Sequence, residues 1–190
     1  MPPTTKIQKE DILNAAYDIV RIEGMKGINA RAIARKLNCS IQPIFYQFTN
    51  MDELKHELLY KIMRTFQRYI TENSDQSLPY KEVGKGYIRF AKEEPQLFRI
   101  IFMHETNLSS QDYIFRDESY VEAMKFAKMS TKLDSDKVEA FHFKMWIFIH
   151  GIASMIVTKT FDFTDEQISE ILTDEFQALI LLEKEKEKNE

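Results

Sequence analysis

Apolar residues recur at helical spacing along most of the chain, and they predict a bundle of about nine helices. The first helix carries such residues on one face, at Ile12, Ala16, Ile19 and Val20. Gly24 then suits the left-handed position that ends a helix. No alternating apolar run bounded by turn residues stands out, and only five Pro and five Gly interrupt the chain. The pattern therefore predicts an all-α fold.

Two short helices follow, joined by a tight turn. Asn29 predicts the start of a second helix over residues 30–37, because its side chain can accept a hydrogen bond from a free backbone amide. Ser40 is the predicted N-cap of a third helix over residues 41–47. Pro43 is tolerated in the first turn of that helix, where its missing amide has no helical partner.

The remaining helices are longer. Asn50 and Glu53 have the spacing of a capping box and predict a fourth helix that runs to about Thr71. A second box, Thr164 with Gln167, predicts the start of the last helix. Between them we expect a loop at 105–112 and helices over residues 79–94, 95–104, 113–132 and 136–159. The last helix should end near residue 182, and the charged run EKEKEKNE that follows should be solvated.

Charge is distributed unevenly along the chain, whose net charge is -4. Residues 1–50 hold seven Lys and Arg against four Asp and Glu, a net +3, whereas the remainder holds 19 against 26, a net -7. This asymmetry suggests that the basic N-terminal part binds a polyanion and that the rest of the chain forms an acidic body. Ordinary solvated helix faces can also produce it. The single cysteine, Cys39, excludes an intrachain disulfide and a cysteine-based zinc cluster.

The sequence also shows no typical features of a membrane-spanning or secreted protein, or of an enzyme. Its longest stretch free of Lys, Arg, Asp and Glu is residues 145–158, short of the ~18–20 apolar residues of a membrane span, and its start, MPPTTKIQKED, lacks the apolar core of a signal peptide. We therefore expect a soluble, cytoplasmic protein. The four histidines show no metal-ligand spacing, and there is no glycine-rich phosphate loop or nucleophile motif. The sequence thus predicts no enzyme, metal or cofactor.

The two short helices bury little surface alone, so they should pack on the first helix and form a helix-turn-helix domain over residues 1–50. A helix to about residue 72 should connect it to a helical body over residues 51–190. The second short helix presents a nearly uncharged face of Ser40, Gln42, Pro43, Tyr46 and Gln47. Gln can pair with the edge of adenine, Tyr and Ser can hold phosphates, and Pro or Ile can contact a thymine methyl.

The segment INARAIARKLNCSIQPIFYQFTNMDELKHELL resembles the DNA-binding domain of the TetR/AcrR family of transcriptional regulators, and KEDILNAAYDIVRIEGMKG resembles that family's first helix. Together they cover about residues 6–60. YIRFAKEEPQLFRIIF and WIFIHGIA resemble the ligand-binding body of one branch, with Trp146, His150 and Gly151 in its tryptophan-histidine-glycine pattern. The resemblance implies a homodimer, a near-palindromic operator and release of DNA when a small molecule enters the body.

The sequence departs from the family at two backbone-contacting positions. Phe45 stands where the family usually has a phosphate-binding tyrosine, and Met51 stands where many members have lysine. Lys55, one turn further on, either reaches a phosphate or is solvated. Arg31 is a better candidate for a DNA contact than Arg35 or Lys36. The predicted DNA-binding residues are Lys6, Arg31, Ser40, Ile41, Gln42, Pro43, Phe45, Tyr46, Gln47 and Lys55.

In the body, residues 145–157 are apolar nearly all round the helix, so this helix must be covered on more than one side. With the last helix it resembles the family's dimer interface; alternatively, both helices complete a monomeric core. His150 is either a polar fixture of a pocket or a hydrogen-bonded core histidine. The predicted ligand-binding residues are large and adaptable: Phe66, Phe90, Phe102, Met103, Tyr120, Met124, Trp146 and His150.

The sequence thus favours a ligand-responsive repressor. Two other functions are compatible with the same helices. One is a regulator whose body binds a protein partner, and the other is a helical protein that binds small molecules and has no DNA affinity.

Overall fold

A computed structural model of the chain describes residues 7–72, 77–103 and 118–189, and every regular element within these ranges is helical. A single 3-10 turn, Met25–Gly27, follows the first helix. The α-helices are α1 Lys9–Glu23, α2 Ala30–Lys36, α3 Gln42–Gln47, α4 Met51–Thr71, α5 Pro79–Glu93, α6 Pro95–Phe102, α7 Glu118–Thr131, α8 Ser135–Val157 and α9 Asp165–Asn189. The all-α prediction is confirmed.

Helix boundaries follow the local capping chemistry. Gly24 ends α1 with φ 69°, a left-handed value that favours glycine. The Asn29 side chain accepts from the Ala32 amide at 2.9 Å and starts α2. Thr164 and Gln167 exchange both capping-box bonds, at 2.9 and 3.2 Å. These predicted helix ends are confirmed.

The start of α3 differs from the prediction. The helix begins at Gln42, its N-cap is Ile41, and no side chain caps it, so Ser40 is not the N-cap. The reason lies in Pro43. Had Ser40 been the N-cap, Pro43 would have been the third helical residue, which has no amide hydrogen to donate to the serine hydroxyl.

The final helix is longer than predicted. It continues to Asn189, and Glu183 in its last turns is buried, accepting hydrogen bonds from Lys144 at 3.0 Å and from Lys186 at 2.8 Å. The predicted fully solvated tail is therefore wrong at Glu183. Helix α6 ends at Phe102, two residues before its predicted end. The predicted loop at 105–112 and the start of the next helix at Tyr113 lie outside the described residues.

The chain divides into two compact units: Met1–Thr65 with Glu94–His104, and Phe66–Glu93 with Glu105–Glu190. In the first unit, α1 packs against α2, α3 and α6. Arg21 on α1 also donates both guanidinium bonds to the buried carboxylate of Glu94, which directly precedes α6. The predicted DNA-binding domain of residues 1–50 is a different division and stays a prediction.

In the second unit, α5 and α8 form the most extensive helix pair among the described elements. Gly86 lets α5 approach the end of α4, because an added Cβ would lie 2.1 Å from the Tyr69 carbonyl oxygen. Helix α8 is long and apolar enough over residues 136–157, with a mean hydropathy of 1.4, to cross a membrane by length and composition alone. Its buried residues recur at helical spacing and pack within the unit: Val138, Phe141, Met145, Ile149 and Ile152. This spacing places one face of α8 in the core of the unit.

Candidate functional site

Helix α3 is held by two buried residues and presents Gln42, Phe45 and Tyr46 to solvent. Ile44 and Phe48 are 0% and 2% exposed, whereas Tyr46 is 81% and Phe45 is 45% exposed. The aromatic rings at 45 and 46 are therefore both accessible, on neighbouring parts of the same helix. Gln42 is exposed as well, in the first turn. This surface combines an amide, a phenol and an apolar ring, and it carries no formal charge.

Other members of the predicted recognition set are placed differently. Ser40 and Ile41 are exposed before the helix begins, and Pro43 is half-buried. Gln47 is half-buried and donates to the carbonyl of Ile7 at 3.5 Å. The Gln47 side chain is therefore engaged in a hydrogen bond within the protein. Among the described residues, the side-chain amide of Gln42 makes no hydrogen bond of this kind.

Positive charge comes from α2. Arg31 and Arg35 are one turn apart and exposed, and within the described ranges no carboxylate lies at ion-pairing distance from either. Lys36 instead pairs with Asp18 at 3.1 Å, and Lys55 pairs with Asp52 at 3.3 Å. The two arginines are thus the cations of this region most available to a polyanion. Lys6 lies outside the described residues.

The start of α4 already satisfies its own amides. Asn50 accepts from the amides of Asp52 and Glu53 at 3.0 and 2.9 Å, and the Thr49 amide donates to Glu53 at 2.6 Å. This last bond lowers the pKa of the Glu53 carboxyl. Met51 is half-buried and uncharged, so the position contributes no cation to a phosphate.

The second unit contains two matching tyrosine-histidine pairs between α5 and α8. The hydroxyls of Tyr80 and Tyr87 lie 2.9 Å from Nδ1 of His142 and His150, respectively. Burial lowers the pKa of His142 to about 4 and also lowers that of His150, while it raises the pKa of both phenols. Near neutral pH, each phenol is therefore hydrogen-bonded to a neutral imidazole, and the tautomer of the histidine decides which of the two donates. Trp146 stacks on His150, with ring centroids 5.3 Å apart.

A cavity of about 220 Å³ lies within the second unit, between α5, α7, α8 and α9. The described part of its wall is mainly apolar and includes the polar side chains of Lys81, Ser130, Thr173 and Gln177. The apolar lining consists of Leu78, Tyr80, Gly84, Met145, Ile149, Leu172 and Phe176. Gly84 makes room for close packing at this wall, because an added Cβ would lie 3.1 Å from Cδ1 of Ile149.

None of the eight predicted ligand-binding residues lines this cavity. Phe66 and Phe90 are buried and in contact with each other in the second unit, with ring centroids 5.3 Å apart, whereas Phe102 and Met103 belong to the first unit. The remaining residues lie on α7 and α8: Tyr120 against His142, Met124 half-buried, and Trp146 stacked on His150. Their ligand roles stay predictions. Size and aromatic character alone did not single out the lining residues.

One side of α8 is apolar and uncovered. Phe143 is 51% and Ile147 is 52% exposed, and Met155 is also exposed. Between them lies Gly151, where an added Cβ would meet nothing within 4 Å. On α9, Leu181 and Leu182 are exposed as well. We refer to Phe143, Ile147, Gly151 and Met155 as the open face of α8.

Comparison with known proteins gives consistent results. Residues 80–179 match the family described as "Tetracyclin repressor-like, C-terminal domain", which is more than half of the chain. An uncharacterised HTH-type transcriptional regulator of Haemophilus influenzae is 22% identical over 101 residues, covering 51% of this chain and 54% of the relative. The match thus spans about half the length of that protein.

Solved structures share the fold over nearly the whole chain. A TetR-like transcriptional regulator from Rhodococcus sp. RHA1 aligns with a TM-score of 0.66 at 14% identity, covering 92% of this chain and 96% of that one. A TetR family regulator from Marinobacter aquaeolei VT8 aligns with a TM-score of 0.62 at 18% identity, covering 90% and 94%. At these identities the likeness shows the fold.

Proposed function

Because this chain belongs to the TetR family of transcriptional regulators, we propose that it is a cytoplasmic repressor that binds a near-palindromic operator as a homodimer. A small apolar molecule entering the body releases it from DNA. The family is one of regulators, so no enzymatic activity is assigned to the chain.

The observation that carries DNA binding is the exposed surface of α3. A six-residue helix that buries Ile44 while leaving Gln42 and Tyr46 in solvent contributes little to the core on that side. The same side chains can bind in a major groove, where glutamine pairs with adenine and the phenol reaches a phosphate. Arg31 and Arg35 supply nearby positive charge for the DNA backbone.

A homodimer is supported by the open face of α8. Large apolar side chains at half exposure, Phe143 and Ile147 among them, are the kind of surface that a partner covers. Gly151 leaves space for a helix of the partner to approach closely. A two-fold dimer would double the α3 surface and match a near-palindromic site. Doubling also compensates for a recognition face that carries no charge.

Ligand response is supported by the cavity of about 220 Å³, whose wall is mainly apolar. Suppose that a small molecule binds the DNA-free conformation more tightly than the DNA-bound conformation. It then lowers the affinity for DNA, and the loss in binding free energy equals the difference between the two ligand-binding free energies.

The proposal is tested with purified full chain and the DNA that flanks its own gene. Mobility-shift titrations should give a salt-sensitive complex that specific DNA, and not bulk DNA, competes away. Light scattering at micromolar concentration should give twice the 22.5 kDa of one chain. Absence of any sequence-dependent complex would overturn the repressor assignment and favour a small-molecule-binding protein without DNA affinity.

A further inference from the structure

We propose that the cavity between α5, α7, α8 and α9 binds a small amphipathic carboxylate whose acid group pairs with Lys81. This inference rests on the proposed function, and it adds one acid group to the otherwise apolar molecule that enters the body. It is carried by Lys81, the lysine among the described lining residues, and by the chemistry of the residues around it.

Lys81 is half-buried, and its ammonium donates to the Thr173 hydroxyl at 2.7 Å. That hydroxyl in turn donates to the Ser169 carbonyl at 2.8 Å, so it is oriented to accept from the lysine. An ammonium has three hydrogens, and this bond uses one of them. Thr173 thus fixes the ammonium at the wall and leaves donors for a ligand.

Lys81 lacks the acidic partner that Lys85 and Lys144, two other half-buried lysines of the same unit, both have. Lys85 pairs with Glu82 at 2.8 Å and Lys144 with Glu183 at 3.0 Å, but no carboxylate in the described part of the chain lies at ion-pairing distance from Lys81. A half-buried cation gains most from an anionic partner, since a charge-assisted hydrogen bond is stronger than a neutral one. The missing carboxylate is the group that the ligand would supply.

The rest of the cavity wall favours a ligand that has a hydrocarbon part and no positive charge. Met145, Ile149 and Leu172 are 3%, 8% and 2% exposed, and they offer an apolar surface to a hydrocarbon body. No Asp or Glu is among the described lining residues, so an organic cation would find no counter-ion. The hydroxyl of Tyr80 is engaged with His142.

Cavity size limits the ligand to a small molecule. The volume of about 220 Å³ is below the ~300–1,000 Å³ of pockets that hold drug-sized ligands. A medium-chain fatty acid such as octanoate is a suitable probe, and octan-1-ol and octylammonium are matched neutral and cationic probes.

The experiment titrates the full-length protein with these three probes by calorimetry. We expect octanoate to bind about ten- to hundred-fold more tightly than octan-1-ol, the range of a hydrogen bond to a charged group. Lys81→Met should remove this preference, and Lys81→Arg should retain it. The control is Lys92→Met on the same helix, outside the cavity, whose pair with Asp165 is solvent-exposed and worth little to stability.

Charge reversal keeps the test decisive if Lys81→Met is unstable. Lys81→Glu should bind octylammonium and reject octanoate. Equal binding of octanoate and octanol by the unmodified protein would overturn the role of Lys81, and no binding of either probe would overturn the site itself.

DNA binding is measured in parallel, so that the two proposals fail separately. A protein that binds its operator and no probe keeps the repressor function and loses this inference. A protein that binds octanoate through Lys81, without any change in DNA affinity, keeps the inference and loses the ligand response.

Discussion

Helix α3 in the first unit and helix α8 in the second unit both expose large apolar side chains to a similar degree. Phe45 is 45% exposed on α3, and Ile147 is 52% exposed on α8. Their neighbours differ. The α3 surface mixes Phe45 with Gln42 and Tyr46, whereas the open face of α8 is wholly apolar and contains a glycine.

This difference separates two uses of an exposed ring. Groups that hydrogen-bond in the plane of a base or to a phosphate accompany Phe45, which suits a polar, wet interface with nucleic acid. A wholly apolar patch instead gains most when a second apolar surface excludes water from it. The residues beside an exposed ring therefore indicate the kind of partner that covers it better than the ring itself does.

The largest effect is expected where α3 is anchored. Phe48→Ala should lower the free energy of unfolding of the first unit by ~3–5 kcal/mol, because the ring is 2% exposed and its removal leaves a cavity. Hydrogen exchange should show faster opening of residues 7–65, and DNA binding should be lost with it. Phe45→Ala is the matched control on the same helix. It should leave exchange unchanged, and a comparable loss of stability would contradict the exposed placement of Phe45.

On α8 the corresponding change is Ile147→Glu. A carboxylate placed in an apolar interface should weaken the dimer by about 3 kcal/mol, more than a hundred-fold in its dissociation constant. Sedimentation should then show monomers at micromolar concentration. Ile22→Glu is the control, since Ile22 is 77% exposed on α1 in the other unit. If the control dissociates the dimer and Ile147→Glu does not, the open face of α8 is not the interface.

Acid should destabilise the second unit through His142. Its pKa is about 4 when folded and 6.5 in an unfolded chain, since burial disfavours the imidazolium. Unfolded chains therefore bind more protons, and stability falls as pH drops from about 6.5 to about 4. His142 alone should account for about 3 kcal/mol of this loss.

Urea unfolding followed by circular dichroism at several pH values measures that loss. His142→Gln keeps an acceptor for the Tyr80 hydroxyl and should flatten the pH dependence. The exposed histidine His56 provides the control substitution, His56→Gln, which should leave the dependence as in the unmodified protein. An unchanged slope in His142→Gln would show that His142 is not the group that titrates.

Local helix caps and long-range side-chain pairs differ in how far the sequence predicts them. The start of α2 was predictable because the Asn29 cap bonds to a residue three positions away. The same holds for the cap at Thr164. Because the partners in these interactions are three positions apart, the sequence alone identifies them. Ser40 was misassigned as a cap because its expected donor, Pro43, has no amide hydrogen.

The side-chain pairs that form between helices of the second unit could not be predicted in this way. Tyr80 and His142 are 62 positions apart, and Lys81 and Thr173 are 92 apart. Which of many aromatic or charged residues meet is decided by packing of α5 against α8 and α9, and helical periodicity does not specify such pairs. For the same reason, residues selected for size do not line the cavity that contains Lys81, and their ligand roles stay predictions.

The smallest effect should come from a single base contact on α3. Gln42→Ala should leave folding unchanged, because the side chain is exposed. If the amide reads an adenine, discrimination at one operator position should fall by ~1–3 kcal/mol, while other positions and the salt dependence keep their values. Competition binding against a set of operators with single base changes measures this. Gln47→Ala is the informative control: its amide donates to the Ile7 carbonyl, so we expect any loss to spread evenly over all operators. The same even loss in Gln42→Ala would remove Gln42 from the recognition surface and leave Tyr46 and the arginines as its contacts.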